Sequence, residues 1–188
     1  MEQLLDYLES IYPLGDALRQ RLAMLIKSKE ISKKDYVLRA GQINREIHFI
    51  EKGLLWCYSK RDEQDVVSWF MKEGDTIVSV LSFYDQVKSH ENIQALEDCE
   101  LHYISYEELE ELYHDFPWFN YIGRVLTIKY LKMFVRQAEG LRGLSAEERY
   151  KYMMETQPEI VLRVPTKYMA SHLGINEFTL SKIRGKKY

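Results

Sequence analysis

The spacing of hydrophobic residues changes twice along the chain and divides it into three parts. Up to about residue 28, leucines recur every three or four positions, which predicts one or two amphipathic helices. From about residue 31 to 105, short apolar runs alternate with turn signals such as Gly41, 52–53 and 73–75. Helical spacing returns from Tyr106 onward. The pattern predicts an α+β protein with a jelly-roll-like antiparallel β-roll near its N-terminus.

Seven strands and three further helices follow from this pattern. The predicted strands are 36–39, 47–51, 54–59, 66–71, 77–80, 93–95 and 101–104. A short helix covers YEELEELYHDF, a long one runs from Pro117 to about Leu141, and a third begins at Ser145, where Glu148 completes a capping box. The predicted domains are 1–115 (helices and roll), 116–142 (the long helix) and 143–188 (the C-terminal helices).

Residues 166–187 have the pattern of a helix-turn-helix. Ala170 takes the position where two crossing helices leave room for a small side chain, and Gly174 takes the turn, where a left-handed backbone is needed. Thr166 is the expected N-cap of the first helix and Asn176 that of the second. The residues expected to hold the helices together are Met169, Leu173, Ile175, Leu180 and Ile183.

The charge of the C-terminal residues favours a DNA-binding motif over the alternative, a helical hairpin that only packs on a core. From Arg163 to the end there are six basic residues and one acidic residue, a net charge of +5 on a chain whose formal net charge is −3. A basic C-terminus on an acidic body favours contact between that end and phosphate. We therefore predict that double-stranded DNA is a partner.

The predicted DNA contacts divide into base edges and phosphates. The first turn of the second helix should face the bases, with Lys182 donating to guanine or to a phosphate and Ser181 on the same side. The other residues of that helix with a predicted role are Asn176, Glu177, which could accept from cytosine, and Thr179, which could meet a thymine methyl or a backbone oxygen. The residues assigned to phosphates are Thr166, Lys167, Arg184, Lys186 and Lys187.

The long helix carries more apolar surface than one contact with the roll would use. One interpretation is a helix buried in the core, and the other is a helix that also packs on its copy in a homodimer. The second is favoured because paired recognition helices can read a palindrome. The stripe expected to form the dimer contact is Phe119, Ile122, Leu126, Tyr130 and Met133.

Composition excludes several classes of function. No apolar run is long enough to span a membrane and the N-terminus is unlike a secretory signal, so we expect a cytoplasmic protein. Cys57 and Cys99 are too few for a disulfide framework or a metal quartet, and we expect buried thiols, no metal and no cofactor. His48, His90 and His102 lie on predicted strands but are single and scattered, unlike the ligands of jelly-roll metalloenzymes. Without a catalytic motif, the sequence does not predict an enzyme.

The order of these parts resembles the catabolite-activator/FNR family of bacterial transcription regulators. Residues 47–54 (IHFIEKGL) are similar to the family's strand–turn segment, 73–75 (EGD) to the turn before its effector cassette, and Gly174 with TLSKI to its recognition region. LSAEERY and SKIRGKK resemble a subgroup common in Bacteroidetes. The resemblance implies a cyclic-nucleotide-binding-domain fold, a dimeric DNA-binding regulator and RNA polymerase as a candidate partner. The sequence ends at Tyr188, so we expect no wing after the helix-turn-helix and salt-sensitive binding.

The sequence departs from this family at the effector cassette. Cyclic-nucleotide-binding members carry Gly-Glu for the ribose and Arg-Ser for the phosphate, and here these pairs fall on Val78-Ser79 and Ser89-His90. A buried phosphate needs a fixed cation, so we expect no cyclic AMP binding, and an unknown small-molecule effector stays open. No cysteine precedes Cys57, which argues against the family's iron–sulfur form. The alternative function is a small-molecule-binding roll whose C-terminal helices contact another protein.

Overall fold

A computed structural model describes residues 1–185. Its helices are α1 (Glu2–Ile11), α2 (Gly15–Leu25), α3 (Val80–Asp85), α4 (Tyr106–Asp115), α5 (Phe119–Gly143), α6 (Ala146–Thr156), α7 (Pro158–Arg163), α8 (Thr166–His172) and α9 (Glu177–Gly185). Its strands are β1 (Lys27–Ile31), β2 (Tyr36–Leu38), β3 (Glu46–Lys52), β4 (Leu55–Arg61), β5 (Gln64–Met71), β6 (Thr76–Ile77), β7 (Asn92–Ala95) and β8 (Cys99–Ser105). The predicted mixture of helices around an antiparallel roll is confirmed.

Two four-stranded sheets form the roll. One has the order β1-β8-β3-β6 and the other β2-β7-β4-β5. Strand β3 pairs antiparallel with β8 on one side and β6 on the other, so that His48 lies opposite Tyr103 and Ile77. The link between β4 and β5 is the two-residue turn 62–63, and both of its residues have positive φ, as a tight hairpin turn requires.

The structure forms two compact units. The first contains Met1–Cys57 and Phe70–Ile128, and the second contains Tyr58–Trp69 and the described residues from 129 onward. The β4–β5 hairpin tip therefore belongs with the C-terminal helices. The sequence-based boundaries at 115 and 142 left this hairpin tip with the roll, because no local pattern shows which helices a hairpin tip will contact.

The core of the first unit lies between the N-terminal helices, the roll and the start of α5. Apolar residues at helical spacing in α1 and α2 meet strand residues whose alternate side chains point inward, so both patterns bury one face against the other. The buried members of this core are Leu4, Leu5, Leu8, Leu14, Leu18, Leu22, Ile26, Phe49, Phe83, Ile104, Leu109, Leu112, Phe119 and Ile122.

Two elements differ from the sequence-based prediction. The predicted strand 77–80 ends at Ile77, and Val80 begins α3. The strand ends there because the Ser79 amide donates to a side chain, Asn44 Oδ1 at 2.7 Å, and not to the backbone of a neighbouring strand. Strand β1 lies where the N-terminal helices were expected to end; its sequence KSKEI is mostly polar because it is an edge strand with exposed or half-buried side chains.

The capping box predicted at Ser145 is present. Ser145 Oγ accepts from the Glu148 amide at 3.3 Å, and the Glu148 carboxylate accepts from the Ser145 amide at 2.8 Å. The same arrangement at Ser105 and Glu108 begins α4. Each box satisfies two amides that the first helical turn would otherwise leave unpaired.

Candidate nucleic-acid interface

Helices α8 and α9 form a tight pair around the turn at Gly174. Gly174 has φ +66°, and a Cβ added there would lie 3.3 Å from Leu141 Cδ2, so the turn favours glycine for its backbone and for its space. Ala170 is 2% exposed, as expected where two helices cross closely. The apolar residues that bury the contact are Met169, Leu173, Leu180 and Ile183. This is the geometry that the sequence spacing predicted.

The two predicted N-caps differ in outcome. Asn176 Oδ1 accepts from the Thr179 amide at 2.8 Å, which is the N-cap bond expected at the start of α9. Thr166 is not the cap of α8: Pro165 precedes the helix, makes no side-chain cap bond, and Thr166 is already helical. The Thr166 hydroxyl instead accepts from Arg184 Nη1 at 3.0 Å.

The outward face of α9 is opposite the face that packs on α8. Leu180 and Ile183 are buried, whereas Phe178, Ser181 and Lys182, three and four residues apart, are exposed together. The Lys182 ammonium lies 4.4 Å from the centroid of the Phe178 ring. Of the predicted base contacts, the structure therefore brings Ser181 and Lys182 to one exposed surface, which also includes Phe178.

Other predicted contacts lie off this face or are already engaged. Arg184 donates to Thr166, and its guanidinium is 5.8 Å from the Tyr150 ring centroid, so it braces α9 against neighbouring helices. Lys167 Nζ is exposed and lies 3.9 Å from Oδ2 of the half-buried Asp65, a weak ion pair that a phosphate could replace. Glu177 is exposed and Thr179 half-buried. Lys186 and Lys187 lie outside the described residues.

Within the second unit, the hairpin tip is bonded to α8 through Ser171. The Ser171 hydroxyl accepts from the Val67 amide at 3.1 Å and donates to the Asp65 carbonyl at 2.7 Å. Gln137 on α5 donates to the Ser68 carbonyl at 3.1 Å. Two helix side chains thus make three hydrogen bonds to the backbone of the edge strand β5, which protects that edge from pairing with another chain.

His172 ends α8 against the same hairpin. Burial lowers its pKa to about 4, although bonds with the backbone of Val67 and Ser68 oppose the shift. The imidazole is therefore neutral at physiological pH. It acts as a packing residue of the helix-turn-helix and not as a cation for phosphate.

Helix α5 has two apolar faces, and the structure shows which one is covered. Phe119 and Ile122 are buried in the first unit's core, Leu126 packs against that core, and Tyr130 and Met133 continue the same face half-buried. The opposite face leaves exposed a second apolar stripe, made of Tyr121, Ile128, Leu131 and Val135. Phe119 and Ile122 are in the core and cannot meet a second copy while they are there, so these two residues leave the predicted dimer stripe.

A closed network of hydrogen bonds occupies the effector cassette of the roll. Ser79 and Ser89 are both buried, and their hydroxyls are 3.0 Å apart. Ser79 Oγ also donates to Glu91 Oε2 at 2.9 Å, and the Glu91 amide donates to Ser89 Oγ at 2.9 Å. Two of the predicted pocket residues therefore come together, whereas Val78 packs against the apolar core and His90 is exposed in a bend outside the strands.

The Glu91 carboxylate lies beside the two serines and near Cys57. Burial and then the Glu91 carboxylate raise the pKa of the Cys57 thiol well above its usual value, so Cys57 stays protonated. Cys57 and Cys99 are both buried free thiols, as expected. Glu91 was missed by the sequence reasoning, although it directly follows the Ser89-His90 pair that takes the place of the family's Arg-Ser.

None of the helices within residues 1–185 is long and apolar enough to cross a membrane. Across the same residues, no group of three or more His, Cys, Asp and Glu side chains is placed to hold a metal ion.

Comparison with known proteins places this architecture. Residues 28–116 match the cyclic nucleotide-binding domain family. The c-di-GMP-responsive global regulator CLP of Xanthomonas campestris has a similar structure, with 20% identity, 89% of each chain covered and a TM-score of 0.70. FixK2 from Bradyrhizobium japonicum is 14% identical over 85% of this chain and 83% of its own, with a TM-score of 0.74. The catabolite activator protein of Thermus thermophilus is 14% identical over 95% of this chain and 84% of its own, with a TM-score of 0.58. No curated protein sequence matches the chain.

The match to the cyclic nucleotide-binding domain family covers the strands of the roll and helix α4. The chain as a whole has the fold of the catabolite-activator/FNR regulators, so the resemblance to that family is confirmed, whereas the resemblance to a Bacteroidetes subgroup stays a prediction. Among these neighbours, CLP is described as a c-di-GMP-responsive global regulator of virulence gene expression. At identities of 20% or less, the likeness concerns the fold, and the ligands and targets of these proteins are their own.

Proposed function

We propose that this protein is a homodimeric, sequence-specific DNA-binding transcription regulator whose roll does not bind cyclic AMP. The observation that carries the proposal is the α8–α9 pair. Its inner face is held by buried apolar residues, Ala170 and the Gly174 turn, and its outer face presents Ser181 and Lys182 to solvent. A helix with this arrangement can enter the major groove while the first helix of the pair crosses the backbone.

The exposed stripe of α5 supports a dimer. Tyr121, Ile128 and Val135 are seven residues apart, and Leu131 lies between the last two, which is the spacing of a two-helix seam. A monomer that left this stripe in water would lose the free energy of burying it, roughly 25 cal/mol for each Å² of apolar surface. Pairing two such helices would also give the complex the two-fold symmetry of a palindromic site.

The network at Ser79, Ser89 and Glu91 supports a roll without cyclic nucleotide chemistry. The hydroxyls that a phosphate would need are already bonded within the protein, and a carboxylate lies among them. Placing an anion there would bring two negative charges together in a partly buried site, which is costly at low dielectric. Cyclic AMP added to the protein should therefore leave its thermal unfolding temperature unchanged, and stabilisation at millimolar cyclic AMP would contradict this part of the proposal.

DNA binding is tested with Lys182→Ala on duplexes selected from a random pool. Lys151, an exposed lysine on α6 that faces Glu155, is the matched control. If Lys182 contacts a base, its replacement should cost roughly 1–3 kcal/mol of specific affinity, and Lys151→Ala should cost much less. Wild-type affinity should also fall steeply as salt rises. Equal loss in both variants, or affinity that is independent of salt, would instead favour C-terminal helices that contact protein.

Dimerisation is tested by placing a carboxylate in the exposed stripe. Leu131→Asp places a carboxylate at the centre of the proposed seam, whereas Arg136→Asp makes the same new carboxylate at an exposed position off the stripe. Sedimentation equilibrium should show a monomer for the first variant and a dimer for wild type and the second variant. If Leu131→Asp remains dimeric, the seam lies elsewhere.

A further inference from the structure

Phe178 is an aromatic residue exposed on the outward face of α9. It is 68% exposed, although α9 buries Leu180 and Ile183, so the helix has a core face that Phe178 does not join. An exposed phenylalanine gains nothing for the fold and favours burial against any apolar surface that reaches it. On the proposed DNA-reading face, that surface has to come from the DNA.

Lys182 fixes the direction of this side chain. Its ammonium lies 4.4 Å from the centre of the Phe178 ring, one helical turn away, which is a cation–π contact. The ring and the ammonium therefore face outward as a pair, with the exposed Ser181 beside them. An apolar surface and a hydrogen-bond donor are presented together.

The chemistry of the major groove decides what such a pair can read. Phenylalanine has no donor or acceptor, and the C5-methyl of thymine is the apolar group that base edges present in this groove. Lys182 can donate to O6 and N7 of a guanine or to a phosphate. A phenylalanine that selects by apolar contact would thus distinguish thymine from uracil, which differs from it by that methyl alone.

We propose that Phe178 is a specificity-determining residue that contacts the C5-methyl of a thymine in each half-site, with Lys182 beside it. This proposal rests on the proposed DNA-binding function of α9. Losing one buried methyl corresponds to about 0.8 kcal/mol, or about a four-fold loss of affinity in each half-site. The contact defines a test that removes one carbon from the DNA and leaves every hydrogen-bonding group in place.

The test uses the full-length protein and a duplex selected from a random pool. Each thymine is replaced singly by deoxyuridine, and affinities are measured for wild type, Phe178→Ala and Phe178→Leu. Wild type should bind about four-fold more weakly when one particular thymine in a half-site loses its methyl. Phe178→Ala should bind the thymine and uracil duplexes equally, and Phe178→Leu should retain part of the discrimination because it keeps an apolar side chain.

Leu162→Ala is the matched control. Leu162 is 81% exposed in the same unit but lies on α7, so Leu162→Ala removes a similar exposed apolar surface that is not on α9. It should leave the thymine–uracil ratio unchanged, and both variants should unfold at the wild-type temperature since neither side chain is in the core. Wild type that ignores uracil at every position, or Phe178→Ala that keeps the discrimination, would overturn the proposal while DNA binding stands. Wild type that selects no sequence would overturn the proposed function and this contact with it.

Discussion

Asn176 offers a way to separate the stability of the recognition helix from its contact with DNA. Its Oδ1 accepts from the Thr179 amide at 2.8 Å and its carbonyl accepts from the Leu180 amide at 3.1 Å. Alanine keeps the second bond and removes the first. The first turn of α9 should then open more often, because an amide that was capped is left to water alone.

The expected magnitude follows from N-cap substitutions in general. Loss of an asparagine cap costs about 1 kcal/mol, within a range of about 0.5–2 kcal/mol. Since α9 is a short helix near the end of the described residues, the loss should be local and should accelerate hydrogen exchange of the Thr179 and Leu180 amides about five-fold. The change in the global unfolding temperature should be smaller than this local effect implies.

Two further substitutions make the test specific. Asn176→Ser and Asn176→Asp both keep a side-chain acceptor, so exchange at Thr179 should stay near the wild-type rate. The aspartate also places a negative charge at the helix N-terminus, which stabilises the helix but repels DNA phosphates. We therefore expect the aspartate variant to keep its helix and lose DNA affinity, most strongly at low salt.

Native-state hydrogen exchange and DNA affinity are measured on the same four proteins. Unchanged exchange in Asn176→Ala would show that the cap bond is absent in solution, and the reasoning about the start of α9 would be refuted. An aspartate variant that binds DNA as tightly as wild type would show that this end of α9 stays away from phosphate.

Two other predictions concern packing and pH. Gly53→Ala should lower the unfolding temperature far more than Gly41→Ala. Both residues have positive φ, and holding alanine in that conformation costs about 1–2 kcal/mol at either position. A Cβ at Gly53 would also be 2.5 Å from Cys99 Sγ, whereas a Cβ at Gly41 would meet no atom within 4 Å. Equal losses would contradict the close approach at Gly53. His172 has a lowered pKa, so the unfolded chain binds its proton first and stability should fall as pH drops from about 6.5 towards 4. The difference in unfolding temperature between pH 7.5 and 5 should be smaller in His172→Gln than in wild type. A part of it should remain, because burial also lowers the pKa of His48. An unchanged difference would show that His172 does not contribute to the pH dependence.

The sequence was most informative where local chemistry is restrictive. The turn at Gly174, the close crossing at Ala170 and the cap at Asn176 each admit few residue types, so their spacing predicted two helices joined by a tight turn. The regular alternation of short apolar runs and turns likewise predicted the roll. Both signals can be read along the chain without knowing which distant segments meet.

The sequence was least informative where contacts join distant segments. Helix α5 is apolar on two faces, so its sequence could not show that Phe119 and Ile122 enter the core and that Leu131 stays exposed. The bonds of Ser171 to the hairpin connect residues about a hundred positions apart. Glu91 was missed for a similar reason, since its bond to Ser79 exists only after the roll closes.

Selection of bound sequences from random duplex DNA, with the full-length protein at moderate salt, tests the central claim most directly. A dimer that presents two α9 helices should enrich a two-fold symmetric motif whose half-sites are about one helical turn, roughly 34 Å, apart. Enrichment of no sequence, or of a single half-site without symmetry, would contradict the account of a dimeric DNA-binding regulator.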